Sequence, residues 1–82
     1  MNVVLVAASM QQILQSHLDP STKQSLAELY DRIVERTMAT PHKAPRGLIE
    51  DAIANALIDL ASAGQRNPEQ LTRYAEYRAS VV

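Results

Sequence analysis

Apolar side chains recur along most of the chain at intervals of three and four residues, which is the spacing of one face of an α-helix. The pattern is interrupted before Pro20, between Thr40 and Gly47, and at Gly64, so it divides into four segments. We predict an all-α fold, a small up-and-down bundle of about four helices, which span roughly residues 3–18, 20–38, 47–63 and 68–80. Residues 1–82 are expected to form a single helical domain.

The third segment is the most apolar and is expected to lie at the centre of the bundle. On a helical wheel its main stripe, which includes Ile49 and Leu60, faces the other helices. Ala54, Ile58 and Ala61 form a second ridge at spacings of four and three residues. This ridge has no obvious partner within one chain, so we predict that it forms the dimer interface of a homodimer.

Several helix ends carry recognisable signals. Asp19, with a proline directly after it, is a typical helix start, because its carboxylate can accept from free backbone N–H groups. Gly64 is expected to end the third helix, since glycine takes the left-handed conformation without a steric penalty. Asn67, Pro68 and Gln70 form a capping-box pattern at the start of the fourth helix.

The first segment has a second interpretation. The run from Val3 to Val6 is rich in β-branched residues, which favour strands. No other segment could pair with such a strand, and its backbone groups would then have no partners. The helix is therefore the preferred prediction, while the sequence leaves open whether the segment begins as a strand.

Charge and composition narrow the classes of function. Eight basic and nine acidic residues give a net charge of −1, which lacks the field expected of a dedicated nucleic-acid or anionic-membrane binder. The absence of cysteine excludes a disulfide framework and agrees with a cytoplasmic protein. The apolar start at Met1 is short and lacks the cationic region of a signal peptide, and no run approaches the roughly 18 apolar residues of a membrane span.

The sequence lacks motifs of catalysis and metal binding. It has no cysteine nucleophile, no Gly-x-Ser-x-Gly elbow, no His-Glu-x-x-His motif and no acidic calcium loop. Glu50, Asp51 and Asp59 are the nearest approach to clustered carboxylates, but Asp51 and Asp59 lie two turns apart on a polar strip. We therefore expect no enzymatic activity and predict no catalytic residue, metal or cofactor.

Two surface features remain as candidate sites. His42, Lys43 and Arg46 gather before the third helix, whose N-terminus also favours anions, so they are candidates for contact with an anion or an acidic partner. The alternative is a polar connector between two helices. On the fourth helix, Arg73 and Tyr77 stand four residues apart on the side predicted to be exposed. Because Arg and Tyr are enriched among interface hot spots, we predict this pair as the partner-binding surface.

Two ion pairs are expected on the helix surfaces. Glu28 with Arg32, and Glu69 with Arg73, stand four residues apart with the acid first, which is the favourable order. The charged side of the second helix is interpreted as a solvated face.

These observations favour a small non-catalytic protein that acts through protein–protein interaction, as a regulator or adaptor, and forms a homodimer. The alternative is a DNA-binding transcriptional regulator or accessory protein that uses the fourth helix and adjacent basic residues. A recognition helix needs exposed side chains for base edges and phosphates. Four residues supply such groups, namely Arg66, Gln70, Arg73 and Arg78. The nearly balanced charge makes nucleic acid the less favoured partner.

Overall fold

A computed structural model describes residues 8–82 of the chain. Within this range the chain forms four α-helices: α1 (Ala8–Leu14), α2 (Pro20–Thr37), α3 (Arg46–Ser62) and α4 (Pro68–Ser80). No strand occurs between residues 8 and 82. The predicted all-α fold with four helices is confirmed. None of the described helices has the length and apolar character needed to span a membrane.

The helix bounds agree with the prediction except in the first helix. α4 has the predicted bounds, and α2 and α3 begin and end within one residue of theirs. α1 ends at Leu14 rather than Leu18, because Ser16 donates both its backbone N–H and its hydroxyl to the carbonyl of Ile13 and closes a tighter turn. The prediction for residues 3–7, including the strand alternative, lies outside the described residues.

The start of α2 follows its sequence signal. The Asp19 carboxylate accepts hydrogen bonds from the hydroxyl of Thr22 at 2.6 Å and from the Thr22 backbone N–H at 3.2 Å. These bonds hold the pKa of Asp19 below its usual value, because they favour the charged carboxylate. The predicted N-cap is therefore confirmed.

The connection from α3 to α4 also follows the sequence, with one difference. Gly64 has a φ of 102°, the left-handed conformation expected after α3. The Asn67 side chain caps α4 by accepting from the backbone N–H groups of Glu69 and Gln70. The capping box is only half formed, because the Asn67 N–H donates to the side chain of Gln65 at 3.0 Å and not to Gln70.

The central elements of the bundle are α2 and α3, each of which contacts all the other described helices. α1 and α4 each contact this central pair but not each other. The apolar side chains that these contacts bury form one core cluster. Its largest fully buried members are Ile13, Leu26, Ile33, Ile49, Ile53 and Leu57.

The buried side of α3 is rotated relative to the predicted stripe. Leu60, expected near the centre of that stripe, is only partly buried, whereas Ala54 and Ala61 are 0% and 1% exposed. Ile58 packs partly against the core. The ridge of Ala54, Ile58 and Ala61 is therefore not a free surface, and the premise that it lacks a partner within the chain is wrong. The reason is that α3 is apolar on nearly every side, so a wheel alone does not show which side faces the core.

A buried hydrogen bond joins α1 to α2. The hydroxyl groups of Ser9 and Tyr30 are bonded to each other inside the bundle, and both residues are buried. Burial raises the pKa of the Tyr30 hydroxyl, although the bond to Ser9 opposes the shift. This pair satisfies two polar groups that would otherwise be costly to bury.

Candidate functional site

The loop between α2 and α3 does not assemble its three basic candidates into one anion site. Nε2 of His42 lies 2.6 Å from the carbonyl oxygen of Thr37, so its ring caps the C-terminal end of α2. Arg46 is paired with Glu50 at 3.3 Å. Lys43 is exposed. Because two of the three candidates are engaged within the chain, and Glu50 adds a negative charge, the geometry favours a polar connector.

Two of the three clustered carboxylates, Glu50 and Asp59, are partners in surface ion pairs, whereas Asp51 is in none of the ion pairs of the described residues. Glu50 is held by Arg46, and Asp59 lies 3.8 Å from Arg78. Between residues 8 and 82, no three His, Asp or Glu side chains lie close enough together to hold a metal ion. In the same range, every buried side-chain nitrogen or oxygen has a hydrogen-bond partner.

The exposed side of α4 carries a line of three residues at successive steps of four. Arg73 has a side chain that is 70% exposed, Tyr77 is 62% exposed, and Val81, directly after the helix, is 63% exposed. Arg73 donates to Glu69 at 3.0 Å, which confirms the predicted ion pair. None of the three residues belongs to the core. We call Arg73, Tyr77 and Val81 the α4 outer stripe.

A groove runs between α2 and α4. Three neighbouring cavities of about 330, 150 and 350 Å³ lie along it, and Leu29 and Arg32 line all three. The apolar part of the lining comes from the buried side chains of Leu26, Leu29, Ile33 and Leu71 together with Pro68. We call this feature the α2/α4 groove; its charged lining residues are Glu28, Arg32, Arg36, Arg66, Glu69, Arg73 and Glu76.

Most of the cationic groups in the α2/α4 groove are engaged within the chain. Arg36 reaches across from α2 to Glu76 of α4 at 3.6 Å. Arg66 donates to the carbonyl oxygens of Ala61 and Gln65 and so helps to end α3.

Arg32 is different. None of the ion pairs or side-chain hydrogen bonds among residues 8–82 includes its guanidinium. The predicted pair of Glu28 and Arg32 is therefore not formed, although the corresponding pair on α4 is. A cationic group without an internal partner is left in the lining of the groove.

Sequence reasoning placed Arg32 on a solvated face and did not identify the groove. Leu29, Arg32 and Arg36 are spaced by three and four residues and therefore share one side of α2, which is a weak signal for a mixed apolar and basic surface. The groove itself depends on how α4 lies along α2. That arrangement cannot be read from the spacing within either helix.

No protein-family model, curated protein or solved structure matches this chain. The chemistry of the two surfaces is therefore the basis for a functional proposal. The α4 outer stripe offers a guanidinium, a phenol and an aliphatic side chain, and the α2/α4 groove offers an apolar lining with one cation that has no partner among the described residues.

Proposed function

We propose that this protein is a small non-catalytic regulator or adaptor that acts by binding another protein. The observation that carries the proposal is the α4 outer stripe, in which Arg73 and Tyr77 lie side by side and largely exposed. Arginine and tyrosine are the residue types that most often supply binding energy at protein interfaces. Neither side chain fills the core and both are largely exposed, so a partner can reach both of them.

We also propose that the protein acts as a homodimer in the cytoplasm. A chain of 82 residues builds a small core, and association is a common way to bury more apolar surface. Five large apolar side chains of the described residues are exposed: Leu14, Leu48, Tyr77, Val81 and Val82. Light scattering after size exclusion should give twice the chain mass of 9.0 kDa. A mass of one chain at micromolar concentration would contradict the homodimer.

DNA binding through α4 is the second candidate, and the short connection of residues 63–67 between α3 and α4 favours it. Two of the four side chains expected to contact DNA argue against DNA binding, because they are engaged within the chain. Arg78 lies over the ring of Tyr74 and donates to its hydroxyl at 2.9 Å, and Arg66 caps α3. Fluorescence anisotropy with duplex DNA at low and high salt tests this candidate. Tight binding that weakens steeply with salt would place DNA ahead of a protein partner.

The protein-binding proposal is tested by affinity capture from the cells that make the protein, with retained proteins identified by mass spectrometry. The double variant Arg73→Ala, Tyr77→Ala should lose the retained partner while its unfolding free energy stays within about 1 kcal/mol of wild type. The matched control is Arg46→Ala, Leu48→Ala, which removes an ion-paired arginine and an exposed apolar side chain from α3. Equal capture by both variants would contradict the assignment to α4.

A further inference from the structure

We propose that the α2/α4 groove binds an acidic and apolar segment of a partner protein, with a carboxylate of the partner paired to Arg32. This inference rests on the proposed function and names the chemistry of the partner. It is carried by the position of Arg32, the apolar lining beside it and the distribution of charge around it.

Arg32 differs from the other arginines of residues 8–82 because its guanidinium has no partner among these residues. Within residues 8–82 the other five arginines all have a partner: Arg36, Arg46 and Arg73 a glutamate, Arg66 two backbone carbonyls, and Arg78 the Tyr74 hydroxyl. Arg32 has none of these contacts, and it lines all three cavities of the groove. A guanidinium presents a planar fork of donors that matches the two oxygens of a carboxylate. We therefore expect an acidic side chain of the partner to accept hydrogen bonds from the Arg32 guanidinium.

The lining next to Arg32 fits an apolar side chain. Leu29 lines the same three cavities, and Leu71 of α4 lines the one that measures about 330 Å³. Both leucines belong to the core cluster, with Leu29 9% and Leu71 3% exposed, so a partner side chain placed over them would extend the core outward. A segment with an aliphatic residue close to an aspartate or glutamate would satisfy both features together.

The charges around Arg32 favour isolated carboxylates over a polyanion. Glu28, Glu69 and Glu76 share the lining, and the last two already neutralise Arg73 and Arg36. A run of phosphates along the groove would lie beside these glutamates and be repelled. A peptide can place one carboxylate at Arg32 and neutral side chains elsewhere.

The groove and the α4 outer stripe meet at Arg73. This residue lines one cavity of the groove and also begins the stripe. A partner segment that lies in the groove can therefore continue over Tyr77 without a break, and the two surfaces can serve one partner.

The inference is tested by selecting peptides from a random phage-displayed library on the wild-type protein. The enriched peptides should combine Asp or Glu with Leu, Ile or Met. An enriched peptide carrying a fluorescent label should then bind roughly tenfold or more weakly to Arg32→Gln, because a charge-assisted contact is lost. Selection on Arg32→Glu should enrich basic peptides instead.

The matched control is Lys23→Gln, which removes one positive charge from the opposite side of α2, two and a half turns before Arg32. Peptide affinity should be unchanged in this variant. The inference is overturned if no peptide is enriched, if the enriched peptides have no excess of acidic residues, or if Arg32→Gln binds as tightly as Lys23→Gln. Arg32-dependent, strongly salt-dependent binding of duplex DNA would also overturn it.

The same variants separate this inference from the proposed function. If a cellular partner is lost by Arg73→Ala, Tyr77→Ala but kept by Arg32→Gln, the proposed function stands and the groove inference fails. If no cellular protein is retained while acidic peptides bind in an Arg32-dependent way, the groove inference stands and the assignment of the α4 outer stripe fails.

Discussion

α3 and α4 are in contact with each other but divide their residues differently between core and solvent. α3 buries six residues that together cover a little less than half of its circumference, including Ile53, Leu57 and Ala61. α4 buries only Leu71, Ala75 and Ala79, which follow one another at steps of four along a single line. We infer that α3 contributes more to the stability of the bundle than α4 does. More of the side chains of α4 are left where another molecule could contact them.

The two helices also begin differently. α3 starts after Pro45, whose side chain forms no capping hydrogen bond. α4 starts after Asn67, whose side-chain oxygen accepts from two backbone N–H groups. The start of α3 is therefore held by burial of the residues that follow, such as Ile49, whereas the start of α4 depends more on its local cap.

The largest effect is expected from a cavity in α3. Leu57→Ala should lower the free energy of unfolding by about 2–5 kcal/mol, because Leu57 is fully buried and its neighbours cannot fully collapse into the space. Tyr77→Ala on α4 should change it by about 0.5 kcal/mol or less. Urea unfolding followed by circular dichroism measures both. If the two variants lose similar amounts of unfolding free energy, α3 and α4 do not differ in their contribution to stability.

The fold was predictable where a residue type permits only a few local conformations. Asp19 with its following proline, and Asn67 with Pro68, fix helix starts because the capping geometry is local to a few residues. Gly64 marks the end of α3 for the same reason. These signals explain why the bounds of α2, α3 and α4 agree with the prediction so closely.

The candidate sites were less predictable because they depend on packing between helices. Ala54 and Ala61 could have faced either side of an apolar helix, and the structure buries both. Glu69 pairs with Arg73, whereas Glu28 with the same spacing does not pair with Arg32. Spacing makes such a pair available but does not determine whether the two side chains meet.

A smaller effect is expected from the cap of α4. Asn67→Ala should lower the free energy of unfolding by about 1 kcal/mol, because two backbone N–H groups lose their acceptor. Asn67→Ser is the control, since serine can accept the same bonds and should cost only a few tenths of a kcal/mol. Urea unfolding of the three proteins measures the difference. If alanine and serine are equally harmful, the side chain acts by something other than capping.

The smallest effect on stability is expected from the ion pair on the outer side of α4. Arg73 and Glu69 lie 3.0 Å apart, but their side chains are 70% and 71% exposed, so water and salt screen the attraction. A double-mutant cycle with Arg73→Gln and Glu69→Gln should give a coupling of about 0.5 kcal/mol or less. Urea unfolding at low and high salt measures this coupling, which should decrease as salt is added.

This small value decides how the binding experiments on Arg73 are understood. If the pair contributes little to folding, a variant at Arg73 that no longer captures a partner has lost a contact with that partner rather than its own structure. A coupling well above about 1 kcal/mol would show instead that the Arg73–Glu69 pair contributes substantially to the stability of α4 itself. In that case Arg73, which belongs to both the α2/α4 groove and the α4 outer stripe, would have a structural role, and α3 and α4 would not divide stability and binding between them.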